Sequence, residues 1–302
     1  MHRQLEGIVV PIVTLYDGNG HIDHAGMREL VEFLLEHGVS GLFPCGTTGE
    51  GPLLTLDERR ALAETVVSAV AGRVPVIVHT GAITTEEACA LTEHAHGIGA
   101  DAAAVFAPYY YSYTNEALFR HFAAVAEHVP ELPLYLYNIP ATTGNPLPIP
   151  LVRRLVEACP NIVGVKDSSG SLEYLVTLLR LRPLSFTVAN GTDAHIFPAV
   201  AMGCLACVSG NANVVPELVV RLYRAARAGD VDTARDLQQR LNRVRQILKD
   251  GSDFSLLKGM LQMRGLAVGA EVRAPLSVAS PEVIRDRWQR LQQVLQEGPE
   301  GR

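Results

Sequence analysis

Eight short apolar runs, separated by longer stretches of helical periodicity, follow one another from the amino terminus to about residue 225. They are GIVVPIVTL from Gly7, VSGLFPCG from Val39, VPVIVHTG from Val74, DAAAVFAP from Asp101, LPLYLYNIP from Leu132, NIVGVKDSS from Asn161, SFTVANG from Ser185 and CLACVSGN from Cys204. Runs that are apolar on both faces suit parallel strands covered by helices, because such strands have no wet face. Eight βα units in succession predict an α/β fold, a closed (β/α)8 TIM barrel in preference to an open sheet. A doubly wound sheet is the alternative. It needs a glycine-rich dinucleotide fingerprint after the first strand, and YDGNGHID lacks one.

The intervening segments carry their own start and stop signals. DHAGMRELVEFLLEHG opens on Asp23 and TLDERRALAETVVSAVAG on Thr55 or Asp57, side chains that accept from the unpaired N–H groups of a first turn, and each ends near glycine. After Arg224 the chain turns helical with no further strand: GDVDTARDLQQRLNRVRQILKD, SDFSLLKGMLQMRG and PEVIRDRWQRLQQVLQEG. The expected organisation is a barrel over residues 1–224 and a C-terminal helical extension over residues 225–302, ending in a frayed EGPEGR tail.

Composition removes several classes. A barrel of roughly 250 residues folds as one unit, so 302 residues do not require two domains. With 19% charged residues and a formal net charge of -6, the chain lacks the basic footprint of a nucleic-acid or polybasic membrane surface. No stretch approaches the roughly 20 apolar residues of a membrane span, and the amino terminus reads as a first strand, not a signal peptide. Five cysteines, odd in number and scattered through apolar segments, suit buried thiols in a reducing, cytoplasmic setting. Cys204 and Cys207 form a CxxC inside one apolar run, where residues three apart point to opposite faces, so no metal is expected there. His94 and His96, two apart on a helical segment, read as surface. The arginines of RLNRVRQ and RDRWQR read as solvated helical faces.

In such a barrel the chemistry collects at the C-terminal ends of the strands. Those ends read GTTGE, HTG, YNIP, KDSS, NGTD and SGN. The chain has only three lysines, and one of them, Lys166, closes the sixth run. An ammonium in an apolar surrounding is pushed toward the neutral amine, which attacks a ketone or aldehyde to give an imine. The same residue also fits a rim ion pair with Asp167, and the sequence leaves both open. Tyr137 closes the preceding run, one βα step away, where its phenol can pass protons to and from the amine or simply cap the core. GTTGE, Gly46 to Glu50, offers backbone N–H groups and the Thr47 and Thr48 hydroxyls to a carboxylate or phosphate, or serves as an ordinary turn. His79, at the end of the third run, is read as a rim histidine, with a place at the pocket mouth as the alternative.

The order GTTGE, PYY, YNIP with TTG, then GVKD resembles the family of pyruvate-dependent class I aldolases and lyases that contains dihydrodipicolinate synthase, N-acetylneuraminate lyase and the keto-deoxy sugar-acid aldolases. The resemblance runs from about Gly7 to Val214. It implies a (β/α)8 barrel assembled as a homotetramer of two tight dimers, with no metal and no organic cofactor. It also implies that Lys166 forms the imine with pyruvate or the 2-oxo acid substrate and that Tyr137 shuttles protons. Thr47 and Thr48 would hold the carboxylate, Thr48 also joining the relay, and Tyr110 would complete that relay in the neighbouring subunit. Gly191 and Val208 would line the site.

One position departs from the synthases of that family. They carry an arginine after YN[VI]P that holds the second substrate's carboxylate, and this chain has Thr142. Threonine cannot replace a bidentate clamp. Thr142 suits a hydroxylated partner, so the expected reaction is cleavage of a 2-keto-3-deoxy sugar acid to pyruvate and an aldehyde. The alternatives are 4-hydroxy-2-oxoglutarate aldolase, N-acetylneuraminate lyase and, less well matched, 4-hydroxy-tetrahydrodipicolinate synthase. Outside this class stand a pyridoxal-phosphate enzyme, which also uses a lysine imine, and a silent 2-oxo-acid binding module.

Overall fold

The computed structural model describes residues 5–181 and 186–297. The first residue of the seventh run, Ser185, and the end of the tail, from Gly298 on, lie outside the described residues. Each apolar run yields one strand: β1 (Gly7–Val10), β2 (Gly41–Leu42), β3 (Ile77–His79), β4 (Ala102–Phe106), β5 (Leu134–Asn138), β6 (Ile162–Asp167), β7 (Thr187–Asn190) and β8 (Ala206–Val208). All pairings are parallel, in the order β2-β1-β8-β7-β6-β5-β4-β3. The remaining gap closes through a parallel bridge between Leu42 and Val76, where the Leu42 N–H donates to the Pro75 carbonyl at 3.0 Å. The sheet is a barrel, and the doubly wound alternative is excluded.

The strands are shorter than the runs for local reasons. Pro11 has no N–H to donate, so β1 ends at Val10 although the apolar pattern continues. Cys204 precedes β8, so the CxxC is not contained in one strand as expected. Both thiols are buried all the same, and none of the five cysteines forms a disulfide.

The helices are α1 (His24–Glu36), α2 (Leu56–Val70), α3 (Thr85–Gly97), α4 (Asn115–His128), the single turn α5 (Pro140–Thr143), α6 (Ile149–Ala158), α7 (Leu172–Leu181), α8 (Ile196–Ala201), α9 (Pro216–Ala228), α10 (Val231–Ile247), α11 (Phe254–Met263) and α12 (Pro281–Gln296). Asp23 caps α1 by accepting from the Ala25 and Gly26 N–H groups. Thr55, not Asp57, caps α2, and Glu58 returns a bond to the Thr55 N–H at 2.8 Å to complete a capping box. The helix after β8 continues through residue 224 to Ala228, and the extension proper begins with α10.

The core has two layers. Inside the barrel sit Val9, Phe43, Ile77, Phe106, Tyr137 and Val208 with their neighbours. Outside it, the other strand faces pack on the helices, and this layer runs on without a break into Leu241 of α10, Leu257 of α11 and Ile284 of α12. Burying each such side chain stabilises the fold by about 1.5–3 kcal/mol, so the extension is welded to the barrel by the same effect that closes it. No described helix is long and apolar enough to cross a membrane.

Candidate active site

Lys166 and Tyr137 are register partners on β6 and β5, both at the C-terminal end of the barrel. The lysine is 5% exposed, and its Nζ lies 3.8 Å from the centroid of the Tyr137 ring and 4.1 Å from that of Phe43. Burial lowers the Lys166 pKa from its ordinary value, with the Tyr137 hydroxyl acting in the opposite sense. The two ring faces favour the cation, but the net direction is toward the neutral amine.

The ion pair with Asp167 does not form. Neighbours in a strand point to opposite faces, and the Asp167 carboxylate is turned outward, where it accepts from Asn138 Nδ2 at 2.7 Å and Ser169 Oγ at 2.9 Å. Among the described residues, Lys166 has no carboxylate within ion-pair distance. Of the two readings the sequence left open, the solitary buried amine is the one the fold produces.

His79 is not on the rim. It stands two residues after Ile77 on the same face of β3, and so points into the barrel, 1% exposed, 4.5 Å from Phe106 and 5.8 Å from Tyr137 between ring centroids. Its Nε2 is buried with no partner, and burial, then the nearby charges of Arg59 and Lys166, push its pKa well below the usual histidine range. Arg59 is itself buried and donates to the Gly81 and His79 carbonyls at 2.9 and 2.7 Å. His79 is therefore a neutral wall of the aromatic layer under the amine.

GTTGE is held in a strained turn. Cys45, just before it, and Glu50, at its end, have φ of 62° and 55°, in the left-handed region that side chains other than glycine seldom adopt. The turn is locked by Thr14 Oγ1 donating to the Gly49 carbonyl and by the Gly51 N–H donating to the Gly46 carbonyl at 3.0 Å. Its last residue is gripped from afar: Lys258 of α11 donates to Glu50 Oε1 at 2.6 Å, and the Arg273 N–H donates to Glu50 Oε2 at 2.8 Å.

A cavity of about 260 Å³ opens over the lysine. Thr48, Tyr137, Lys166, Gly191 and Val208 all line it, so five of the residues chosen from the sequence meet in one place. Gly191 is there for space, since a Cβ would lie 2.1 Å from Ser168 Oγ. Thr47 is half-buried and Thr142 is exposed on α5, and neither belongs to the wall. Tyr110 is 84% exposed with φ 80°, out of reach of its own cavity wall.

Three residues escaped sequence reasoning. Phe43, lost in an apolar run, faces the amine; its place two residues after Gly41, just past the end of β2, was the available signal. Lys258 sits in a helical segment with nothing local to mark it as buried. Arg245, read as part of a solvated face, lines the cavity instead. Among the described residues there is no cluster of three His, Cys, Asp or Glu side chains able to hold a metal ion.

A closed barrel with a solitary amine buried at its C-terminal mouth defines a barrel enzyme. Residues 4–295 match the Dihydrodipicolinate synthetase family, and the chain belongs to it. It is 37% identical over 287 residues to a 4-hydroxy-tetrahydrodipicolinate synthase of Cyanothece sp., covering 94% of this chain and 97% of that one. It is equally 37% identical over 285 residues to the probable 2-dehydro-3-deoxy-D-pentonate aldolase YjhH of Escherichia coli, covering 93% and 94%. In structure it is similar to YagE of E. coli K12, a prophage protein of the dihydrodipicolinic acid synthase family solved in complex with pyruvate, with TM-score 0.91, 33% identity and coverage of 96% and 99%. The chain is an enzyme of the lyase class to which these relatives belong.

Proposed function

We propose that the chain is a class I aldolase that reversibly cleaves a 2-keto-3-deoxy sugar acid to pyruvate and an aldehyde. The observation that carries this reading is the Lys166 amine, buried without a carboxylate partner against the ring of Tyr137. Its Nζ attacks the C2 carbonyl, the carbinolamine loses water, and the protonated imine becomes an electron sink. Removal of the proton from the C4 hydroxyl breaks the C3–C4 bond, releases the aldehyde and leaves an enamine. Protonation at C3 and hydrolysis then free pyruvate and the amine. Tyr137 carries the protons, in relay with Thr48 and with Tyr110 of a neighbouring subunit in a homotetramer.

The substrate carboxylate is held at GTTGE by the Thr48 hydroxyl and backbone N–H groups, with Thr47 beside it in the turn and Gly191 and Val208 lining the imine; Thr142, outside the cavity wall, is met only by a substrate that extends beyond it. The small cavity supports a short 2-oxo acid, the exposed and strained Tyr110 supports a residue completed by assembly, and the likeness to an E. coli protein named as a probable pentonate aldolase supports the substrate class. The enzyme works without metal or organic cofactor, in the cytoplasm. A synthase reading draws on the name of the Cyanothece relative; against it stands Thr142, which offers no guanidinium.

The test is reductive trapping. Borohydride added to protein and pyruvate should leave a pyruvyl adduct on the peptide that contains Lys166, with activity retained after dialysis against a chelator. Absence of that adduct under turnover conditions would falsify the reading, and a yellow chromophore in the purified protein would favour pyridoxal phosphate instead.

A further inference from the structure

Tyr110 stands in the loop between β4 and α4, and the residues around it go inward while it does not. Tyr109 packs on the layer inside the barrel, its ring centroid 5.7 Å from that of Phe106, and Tyr113 packs on the helical layer. Between them Tyr110, Tyr111 and Ser112 are exposed, so their own side chains do not anchor the backbone. Residues 109–113 also make no backbone–backbone hydrogen bond among the described residues. A loop with neither anchor, holding a tyrosine at φ 80°, needs its shape imposed from elsewhere.

The shape is imposed by Asn145, 4% exposed, in the connection between α5 and α6. Its Nδ2 donates to the Pro108 carbonyl at 2.9 Å and to the Tyr111 carbonyl at 2.8 Å, and its Oδ1 accepts from the Tyr113 N–H at 2.9 Å. One amide therefore gathers the chain from both sides of Tyr110 and leaves that residue on the outside of the curl, its ring edge-on to Tyr111 with centroids 5.0 Å apart. Two donated bonds and one accepted bond on so short a stem call for a primary amide.

Asn145 is tied in turn to the strands that carry the amine. Its N–H donates to Thr143 Oγ1 at 3.2 Å, and two residues on the Leu147 N–H donates to Asn138 Oδ1 at 3.0 Å. Asn138 Nδ2 donates to Asp167, the residue after Lys166. The loop that displays Tyr110 is thus referenced to the strand ends of its own barrel, although the Tyr110 side chain does not reach its own cavity wall.

We propose that Asn145 is a positioning residue for a site to which it does not belong: it fixes the arm that presents Tyr110 to the cavity of a neighbouring subunit, so that its loss lowers the neighbour's turnover and not its own. This rests on the role of Tyr110 across subunits proposed above, and it deepens that reading.

The test uses Asn145→Asp, which keeps the size of the side chain and turns a carboxylate oxygen, in place of the donor, toward two carbonyls. Turnover should fall on the order of 10- to 100-fold, the cost of a small misplacement remote from the chemistry, while borohydride trapping of pyruvate on Lys166 persists. The deciding readout is a mixed oligomer, co-expressed with two tags and isolated through both. Paired with Lys166→Met, which lacks the amine but keeps Asn145, the Asn145→Asp cavities receive a native arm and should regain most of the lost turnover. Paired with the double variant Lys166→Met, Asn145→Asp, they should regain none. Asn145→Ala is carried through the same pairings, so that the result does not depend on the added carboxylate. Full turnover in both Asn145 variants, or a defect that Lys166→Met does not relieve although it relieves Tyr110→Gly, overturns the role of Asn145 alone. Failure to relieve Tyr110→Gly overturns the role of Tyr110 across subunits, and failure of wild type to trap pyruvate overturns the aldolase reading itself.

Discussion

The amine of Lys166 stands 3.8 Å from the ring centroid of Tyr137, on the neighbouring strand and in direct register with it. This pairing makes two substitutions diverge. Lys166→Met should abolish both pyruvate trapping and turnover. Tyr137→Phe keeps the ring that packs on the amine and removes only the hydroxyl proposed to carry protons, so trapping should persist slowly while kcat falls about 10²- to 10⁴-fold, the range of general acid–base catalysis. Equal loss of trapping in both variants would separate Tyr137 from proton transfer.

Lys166 also costs stability. Its native pKa lies below the 10.5 of an unperturbed lysine, so between those two values the unfolded chain binds more protons than the native one and stability rises with pH. Below that window the buried charge is a standing penalty, which Lys166→Met removes. The variant should melt above wild type near neutral pH, and the difference should shrink as pH climbs toward 10.5. Calorimetry over that range decides it.

The same direction governs turnover. In the proposed mechanism the reacting form is the free amine, so kcat/KM should rise with pH through a limb that lies below 10.5. His79 stays neutral because its pKa is pushed well below 6.5, so it adds no limb near that value. A pH profile of kcat/KM that lost its limb near pH 6.5 in His79→Ala would contradict this assignment.

Lys258 and Glu50 form a fully buried ion pair that ties α11 to the GTTGE turn. Removing one partner strands a charge in the interior, so Lys258→Met should lower unfolding free energy by about 3–5 kcal/mol in urea titration. The double variant Glu50→Gln, Lys258→Met removes both charges and should recover a good part of that loss. A single variant as stable as wild type would mean that the turn is held by its own backbone bonds.

Tyr110 carries backbone strain with its side chain in solvent. Glycine adopts φ 80° without strain, so Tyr110→Gly should leave the melting temperature of the subunit unchanged or slightly raised while turnover falls. Adding an inactive Lys166→Met protein as a source of Tyr110 should restore part of the activity by subunit exchange, a result that a purely local role could not produce.

The repeating pattern of the chain was enough for the barrel, because eight buried parallel strands leave a period in the sequence that turn residues and caps punctuate. It was also enough to put Lys166, Tyr137 and Thr48 at one end of the barrel, since the C-terminal ends of all its strands share one rim. Distance and direction belonged to the tertiary structure. Whether Lys166 met Asp167 or stood alone depended on which strand face each side chain took, and His79 could be placed inside the barrel only once β3 had a register. Arg245 and Lys258 lay in helical segments that look solvated from their neighbours in sequence. Only the packing of α10 and α11 on the barrel, driven by apolar faces shared with it, brings one to the cavity and the other to the turn that borders it.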